Sequence, residues 1–261
     1  MNNLETYANK DGFDPLNSTC VVTGGSSGIG KSIINELKKR KARKIINIDI
    51  LHSNQDSIDF YECDVGNSKQ MKKIFDDIFK KNNCIDLVCC NAGVAKNDDG
   101  FASEEYWNSI WKTNVLQHTN AVRNCISKML KKKRGWFLIT ASAAGLLSQV
   151  GSASYSTTKH ATVGFAEWLS ITYGDLGIGV SLLCPQGVNT AMTKNIKGGG
   201  VAGINGMLEP EHVAAYTLDQ MHLGKFLITP HDIVKKYIKI KAADTDKWII
   251  GMRKLYKEFV K

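Results

Sequence analysis

Short apolar runs alternate with longer amphipathic stretches along most of the chain. The apolar runs are rich in Val, Ile, Leu and Phe, and such runs favour strands that are buried on both faces. They lie at 20–24, 44–50, 85–91, 136–142 and 179–185, with a weaker one at 59–63. The stretches between them carry helical periodicity, at 29–40, 68–82, 103–132 and 153–174. This β-α-β order predicts a doubly wound α/β fold, in which helices cover both faces of a parallel sheet.

A last amphipathic segment, residues 231–261, follows the apolar run 226–229. Its apolar positions recur at helical spacing and are Trp248, Ile249, Met252, Leu255, Tyr256 and Phe259. The opposite face carries Lys247, Arg253, Lys254, Lys257 and Lys261. We expect a helical tail that docks on the protein's own body or on a partner subunit, and the alternative is a helix lying on a membrane surface.

The 261 residues fit one large α/β domain as easily as two small ones. Only four prolines occur, none of them in a linker-like run, and no internal repeat or long low-complexity segment is visible. We therefore expect a single domain over residues 1–261, of which residues 1–17 form a short N-terminal lead.

Targeting and redox signals are sparse. The N-terminus lacks a basic start followed by an apolar core, and no apolar run approaches the roughly 18 residues that a spanning helix needs. The seven cysteines form no C-x-x-C pair, and the six histidines show no metal-ligand spacing. We expect a cytoplasmic protein with reduced cysteines, no metal site and no stable membrane insertion.

The formal charge of +9 raises the question of nucleic-acid binding. The basic residues cluster at 38–44 and 131–134, each directly after a helix-like stretch. Cations are favourable at helix C-termini, and no aromatic residues interleave with these clusters as a base-stacking surface would require. We interpret both clusters as solvated helix ends and expect no nucleic-acid partner.

A glycine-rich turn, Thr23–Gly30 (TGGSSGIG), follows the first strand and precedes the first helix. Glycines at such a turn let the backbone approach a pyrophosphate, whose charge the helix N-terminus favours. Asp49 ends the next strand, where a carboxylate accepts hydrogen bonds from an adenosine ribose and repels a 2′-phosphate. The turn has no Arg or Lys before Lys31. The sequence therefore predicts a dinucleotide site that prefers NAD to NADP.

Tyr155 and Lys159 lie four residues apart in a helix-like segment. This spacing puts their side chains on one face of the helix, with Cβ atoms roughly 5–6 Å apart. A lone pair of this kind is usually a surface contact. Ser142 ends the strand that precedes this segment, which brings a hydroxyl group to the same part of the predicted fold.

Taken together, these motifs resemble the short-chain dehydrogenase/reductase family in its compact form. The resemblance covers about residues 18–195 and implies a Rossmann-like fold with NAD-dependent interconversion of a secondary alcohol and a ketone. The motifs are Thr23–Gly30, Asp64-Val65, Asn91-Ala92-Gly93, Asn114, Ser142 and Tyr155-x-x-x-Lys159. The resemblance also implies a substrate loop at 191–208. It further implies a homodimer that pairs through the helices around 103–132 and 153–174, with a homotetramer as the alternative.

The resemblance assigns roles to individual residues. The catalytic set is Asn114, Ser142, Tyr155 and Lys159. The cofactor-binding set is Gly24, Ser26, Ser27, Gly28, Ile29, Gly30, Asp49, Asp64, Val65, Asn91, Ala92, Gly93, Tyr155, Lys159, Pro185, Val188 and Thr190. Tyrosine has a pKa of about 10, so a tyrosine base needs neighbouring positive charge, and we expect Lys159 to supply it. Ser142 is expected to bond the substrate oxygen, and Asn114 to place a water in a proton relay.

Two positions depart from the family's usual motifs. Cys90 replaces the first asparagine of N-N-A-G, and Gln186 replaces the glycine of P-G-x-V-x-T. Gln186 is therefore a candidate for contact with the substrate.

We expect an apolar small-molecule alcohol or ketone as the substrate, because the loop 191–208 is rich in apolar residues. Two other classes of function stay open on this fold: an inactive NAD-sensing regulator and a basic nucleic-acid-binding protein. The complete tyrosine-lysine-serine-asparagine set favours the enzyme.

Overall fold

A computed structural model describes residues 11–52, 55 and 57–260. Its strands are β1 (Thr19–Thr23), β2 (Lys44–Asp49), β3 (Asp59–Glu62), β4 (Leu87–Cys90), β5 (Gly135–Thr140), β6 (Ile178–Leu183) and β7 (Leu227–Ile228). They form one parallel sheet in the order β3-β2-β1-β4-β5-β6-β7. The strand order reverses between β1 and β4, and ligands of such sheets bind outside the carboxyl ends of the strands at that point.

The helices of the described residues cover both faces of the sheet. They are α1 (Gly28–Lys39), α2 (Ser68–Lys81), α3 (Glu104–Trp111), α4 (Gln117–Lys132), α5 (Ala144–Leu147), α6 (Ala153–Tyr173), α7 (Pro210–His222), α8 (Asp232–Ala243) and α9 (Thr245–Phe259). One apolar core joins the sheet to α2, α4 and α6, and the other joins it to α1 and α7. The prediction of a doubly wound α/β fold is confirmed.

The central strands are apolar throughout because alternate side chains enter different cores. In β1, Val21 packs into the core under α2, α4 and α6, whereas Cys20 and Val22 pack under α1 and α7. All three are fully buried. A strand with an aqueous face would instead show polar residues at every second position.

The helix predicted over 103–132 contains a local change of geometry. A π-helical turn, Lys112–Leu116, joins α3 to α4 and carries Asn114. Turns of this type widen a helix locally and often occur at functional sites. Helix α7 was not among the predicted helices, although Pro210 occupies its first position, where proline is well tolerated.

The C-terminal tail contains two helices, because α8 ends at Ala243 and the side chain of Asp244 caps the start of α9. Val234 of α8 is buried against Ala143 and Leu147, and the Lys241 Nζ donates to the Leu146 carbonyl at 2.7 Å. Helix α9 contacts α8 through the rings of Trp248 and Tyr237, whose centroids are 5.9 Å apart. Helix α8 therefore docks on the protein's own body, beside the segment that follows Ser142, whereas α9 has no buried residue and packs against α8.

The two basic clusters lie where α1 and α4 end, at the amino edge of the sheet. Arg40 bonds the Asp219 carboxylate at 2.7 Å, and Arg134 lies 3.4 Å from Asp86. Several of these cations are thus engaged within the protein. Among the described residues, every helix is too short or too polar to cross a lipid bilayer.

Candidate active site

The carboxyl ends of the strands bring the predicted site residues together at one edge of the sheet. The glycine-rich turn follows β1, Asp49 ends β2, and Asp64 with Val65 follows β3. Asn91, Ala92 and Gly93 follow β4, Ser142 follows β5, and the segment from Pro185 to Thr190 follows β6. Residues separated by more than a hundred positions in the chain therefore share one surface, as parallel strands require.

The glycine-rich turn is packed too closely for side chains. A Cβ atom on Gly30 would lie 2.1 Å from the Gly24 carbonyl oxygen, and one on Gly24 would lie 2.7 Å from the Ala92 Cα. Gly24 and Gly28 also have φ angles of +67° and +50°, which side chains disfavour. The glycines are thus required for the approach of this turn to the loop after β4.

The start of α1 fits an anionic group. Its N-cap residue, Ser27, makes no side-chain bond to the helix, and the first turn contains no acidic residue. Free amide groups at a helix N-terminus, together with the helix dipole, attract phosphate oxygens. These features fit the pyrophosphate of a dinucleotide, with Ser26, Ser27, Gly28, Ile29 and Gly30 lining that position.

Asp49 is half-buried and tied to the turn that it faces. Its carboxylate accepts the Ser26 amide at 2.9 Å and the Leu51 amide at 3.0 Å. Each carboxylate oxygen retains a lone pair for a ribose hydroxyl. Ile50 and Leu51 are both 63% exposed, so the two residues that follow Asp49 present apolar side chains, not cations, to solvent.

The loops after β3 and β4 complete the same edge. Val65 is buried, while the exposed Asp64 accepts the Gly66 amide at 2.9 Å. The Thr23 hydroxyl accepts the amides of Asn91 and Ala92 at 3.0 and 3.2 Å. The Asn91 side chain in turn donates to the Gly24 carbonyl at 3.3 Å. The loop after β4 is therefore fixed to the end of β1.

Two buried carboxamides that we did not identify from the sequence stabilise this arrangement. Asn47, in the middle of β2, accepts the Gly25 amide and donates to the Ser26 hydroxyl, both at 3.0 Å. Gln117, at the start of α4, accepts the Thr23 hydroxyl at 3.0 Å and donates to the Ala92 carbonyl. Both side chains are fully buried. An asparagine inside the apolar run KIINID was the available signal for the first.

Tyr155, Lys159 and Ser142 form a buried group beside this edge. The Lys159 Nζ donates to the Thr140 carbonyl at 3.1 Å and lies 5.6 Å from the centroid of the Tyr155 ring. A Cβ atom on Gly93 would lie 3.5 Å from this Nζ. The spacing of four residues thus brings phenol and ammonium together at the glycine-rich loop, and the pair is not a surface contact.

Asn114 is fully buried, and both ends of its side-chain amide are used. Its Oδ1 accepts the Val94 amide, and its Nδ2 donates to the Val94 carbonyl, both at 2.9 Å. The Asn114 carbonyl accepts the Thr162 hydroxyl at 2.8 Å. Asn114 therefore anchors the loop after β4 through its side chain and α6 through its main chain.

In the protein without a cofactor, burial has the largest effect on the pKa values of Tyr155 and Lys159. Burial raises the pKa of Tyr155, and the hydrogen bond from Ser142 offsets only part of that effect. Burial lowers the pKa of Lys159 to about 8. We expected Lys159 to bring the pKa of Tyr155 down. Without a cofactor the net shift is upward, because the loss of solvation outweighs the hydrogen bond from Ser142.

The segment after β6 closes the edge. The Pro185 carbonyl accepts the Ala143 amide at 2.8 Å, Val188 is buried, and the Thr190 methyl group lies over Gly28. Gln186 donates its backbone amide to His231 at 3.2 Å and its side-chain amide to Asn205 at 3.0 Å. Gln186 thus connects the segment next to Ser142 with the loop 191–208.

The chain belongs to the short-chain dehydrogenase/reductase family. A family model described as short chain dehydrogenase matches residues 18–199. Members of this family are oxidoreductases that generally use NAD or NADP. No group of His, Cys, Asp and Glu side chains within the described ranges could hold a metal ion.

Known proteins resemble this chain over most of its length. The short chain aldehyde dehydrogenase 1 of Euphorbia lathyris is 27% identical over 247 residues, which cover 89% of this chain and 84% of that protein. A Burkholderia phymatum short-chain dehydrogenase/reductase solved with NAD superposes with a TM-score of 0.78 at 23% identity, covering 90% and 96% of the two chains. A Burkholderia cenocepacia short chain dehydrogenase solved with NADP gives 0.77 at 19% identity, covering 90% and 97%.

Replacement of Lys159 by methionine should stabilise the protein at neutral pH. The folded-state pKa of about 8 lies below the ordinary 10.5, and each unit corresponds to about 1.4 kcal/mol. Keeping this ammonium charged inside the folded protein therefore costs about 3 kcal/mol below pH 8. The penalty disappears as the pH rises from about 8 to 10.5, because the folded protein has then released a proton that the unfolded chain still holds.

Denaturant unfolding over this pH range would measure the effect. Below pH 8, Lys159→Met should be more stable than the wild type by about 2 kcal/mol, because the relieved penalty of about 3 kcal/mol exceeds the roughly 1 kcal/mol lost with the bond to Thr140. Towards pH 10.5 the penalty is gone, and the wild type should be the more stable by that bond, about 1 kcal/mol. Lys69→Met, at an exposed position, is the control. A wild type more stable than Lys159→Met at every pH would contradict this interpretation.

Proposed function

We propose that the protein is an NAD-dependent alcohol dehydrogenase or ketone reductase, acting on a secondary alcohol or ketone with Tyr155 as the general acid/base. The observation that carries the proposal is the buried group of Tyr155, Lys159 and Ser142 next to the glycine-rich cradle. A Gly93 Cβ would lie within 3.5 Å of both the Lys159 Nζ and the Asn114 Oδ1. Acid/base groups and a dinucleotide cradle thus meet at one point.

The residues have distinct roles in this proposal. The nicotinamide cofactor, when bound, accepts or supplies the hydride. Tyr155 takes the hydroxyl proton of an alcohol, or returns it to a carbonyl oxygen, and Ser142 donates a hydrogen bond to that oxygen. Lys159 holds the nicotinamide ribose and favours the phenolate form of Tyr155. Asn114 keeps the loop after β4 and α6 in register, and its main chain places the relay water.

The substrate side supports an apolar small molecule. Ala143, next to Ser142, packs in a cluster with Leu147 and Val234, against which Tyr237 and Trp248 lie. These side chains make the surroundings of Ser142 apolar on the side of α8. The loop 191–208 reaches α8, where the Asn205 side chain accepts the Tyr237 hydroxyl at 3.4 Å. Its Gly198, Gly199 and Gly200 all have positive φ, a conformation that side chains disfavour.

An NAD-sensing regulator without turnover is the alternative on this fold. A protein that only senses NAD could use Lys159 to hold the ribose, but it has no need of a phenol beside that ammonium. Turnover therefore remains the better explanation. We also propose that the chain acts as a single domain in the cytoplasm, without a nucleic-acid partner.

NAD should bind at least roughly tenfold more tightly than NADP, a difference of about 1.4 kcal/mol. The reason is repulsion between the Asp49 carboxylate and a 2′-phosphate, next to a surface that offers Ile50 and Leu51 instead of a cation. Titration of tryptophan fluorescence with each cofactor would measure both dissociation constants. Asp49→Asn should narrow the ratio, and equal affinities in the wild type would show that Asp49 does not select the cofactor.

Tyr155→Phe should reduce turnover by roughly 10²–10⁴-fold, which is the usual contribution of general acid–base catalysis. The variant keeps the ring that packs against Ile110 and Ala144 and leaves the Lys159 bond to Thr140 in place. Its NAD affinity should therefore change little. Lys159→Met should lose activity and also bind NAD more weakly, because Lys159 serves both the phenol and the ribose.

Rates would be followed by reduced-cofactor absorbance with a panel of apolar secondary alcohols and ketones, including acetophenone and cyclohexanone. Tyr173→Phe is a matched control, because this half-buried tyrosine lies at the far end of α6. Near-normal turnover by Tyr155→Phe would exclude the phenol as the acid/base.

We further propose that two chains pair through α3, α4 and α6. The outward face of α6 carries Trp168 and Ile171, which are 50% and 84% exposed, and Trp111 and Leu116 are each 37% exposed. Gly164 lies on the same face, and a Cβ there would meet no atom within 4 Å. Such an apolar face on long helices fits a second copy of the chain better than it fits water.

Ile171→Glu should convert a homodimer into a monomer, because a carboxylate buried in that interface would lack a partner. Sedimentation velocity at micromolar concentration would separate the two states. Ile250→Glu is the control, since the same change at an exposed position of α9 should leave the dimer intact. A wild type that sediments as a monomer would contradict the proposed pairing.

A further inference from the structure

We propose that Asp98 is a positioning residue for Tyr155, in an inference that rests on the proposed function. Asp98 lies in the loop between β4 and α3, and its carboxylate caps the first turn of α6 from outside that helix. Tyr155 belongs to that first turn. The carboxylate would therefore control where the phenol stands without contacting the substrate or the cofactor.

The carboxylate of Asp98 is surrounded by donors. It accepts the Ser154 hydroxyl at 2.5 Å, the Ser154 amide at 3.3 Å and the Gly100 amide at 3.0 Å. The Ser152 hydroxyl lies 3.1 Å away and also donates to the Lys96 carbonyl at 2.6 Å. These bonds lower the pKa of Asp98 against the opposing effect of burial, so the carboxylate is charged at neutral pH.

Helix α6 needs this external cap. Its own N-cap residue, Ser152, makes no side-chain bond to the helix. The first amides of a helix have no partner within the helix, and a negative charge near them is favourable. Asp98 provides the charge and an acceptor for the Ser154 amide, directly before Tyr155.

The same loop is fixed at its other end to Asn114. The Asn114 side chain bonds both the amide and the carbonyl of Val94 at 2.9 Å. The Asp98 amide donates to the Gly151 carbonyl at 3.1 Å, directly before α6. Residues 94–98 therefore form a strap between Asn114 and the helix of Tyr155, and Asp98 is its anchor on α6.

Loss of the anchor should affect turnover more than binding. A misplacement of about 1 Å in a catalytic group can reduce the rate by roughly 10²-fold. We expect Asp98→Ala to lower kcat by about tenfold to a hundredfold, with the NAD dissociation constant and KM within about twofold of the wild type. Asp98→Asn keeps an acceptor without the charge and should restore part of kcat.

Asp99→Ala is the matched control. Asp99 is exposed, and its side chain accepts the Phe101 amide at 3.0 Å, away from α6. Amide hydrogen exchange, followed by mass spectrometry, would test the capping contact itself and does not depend on a substrate. Peptides that cover residues 153–158 should exchange faster in Asp98→Ala and at the wild-type rate in Asp99→Ala.

The outcomes separate this inference from the proposed function. Faster exchange together with a selective loss of kcat in Asp98→Ala supports the positioning role. Unchanged exchange, unchanged kcat, an equal loss in Asp99→Ala or a parallel loss of NAD affinity overturns it while leaving the proposed function intact. A wild type without turnover on every alcohol and ketone of the panel overturns the proposed function and this inference with it.

Discussion

The site depends on the burial of one ammonium group. Lys159 is 3% exposed, stands beside the ring of Tyr155 and donates to the carbonyl of Thr140 at the end of β5. Removing an ammonium from water is unfavourable, so the surrounding fold has to stabilise an arrangement that the lysine itself opposes. The sheet provides the carbonyl, and α6 provides the tyrosine one turn away. Burial of the charged Lys159 therefore lowers the stability of the folded protein at the position where the proposed chemistry needs a positive charge.

The Tyr155 phenol ionises less readily in the protein without a cofactor than it would in water. Burial raises the pKa of Tyr155 in the protein alone, and Ser142 compensates for part of this effect. His118, one turn after Asn114, adds no charge because burial lowers its pKa to about 3. In the proposed mechanism the oxidised cofactor completes the positive environment, so proton transfer is coupled to cofactor binding.

The local pattern of apolar and polar residues was sufficient to predict much of the fold, because apolar strands and amphipathic helices each have a characteristic periodicity. The strand ends of a parallel sheet also brought Asp49, Ser142 and Pro185 to one edge by topology alone. The contacts that fix the site were beyond such patterns. Gln117 bonds Thr23 across 94 residues and Ser154 bonds Asp98 across 56, and no local signal marks either pair. The π-helical turn at Asn114 was also missed, since its spacing reads as an ordinary helix.

Transfer of a labelled hydride tests the central claim most directly. The protein would be incubated with a ketone and NADH that carries deuterium at both hydride positions, and the alcohol would be analysed by mass spectrometry. We expect one deuterium on the carbinol carbon, because in the proposed reaction the cofactor supplies the hydride to that carbon while Tyr155 supplies an unlabelled proton to the oxygen. Failure to form any alcohol across a panel of apolar ketones, or an alcohol without deuterium on its carbinol carbon, would contradict the account.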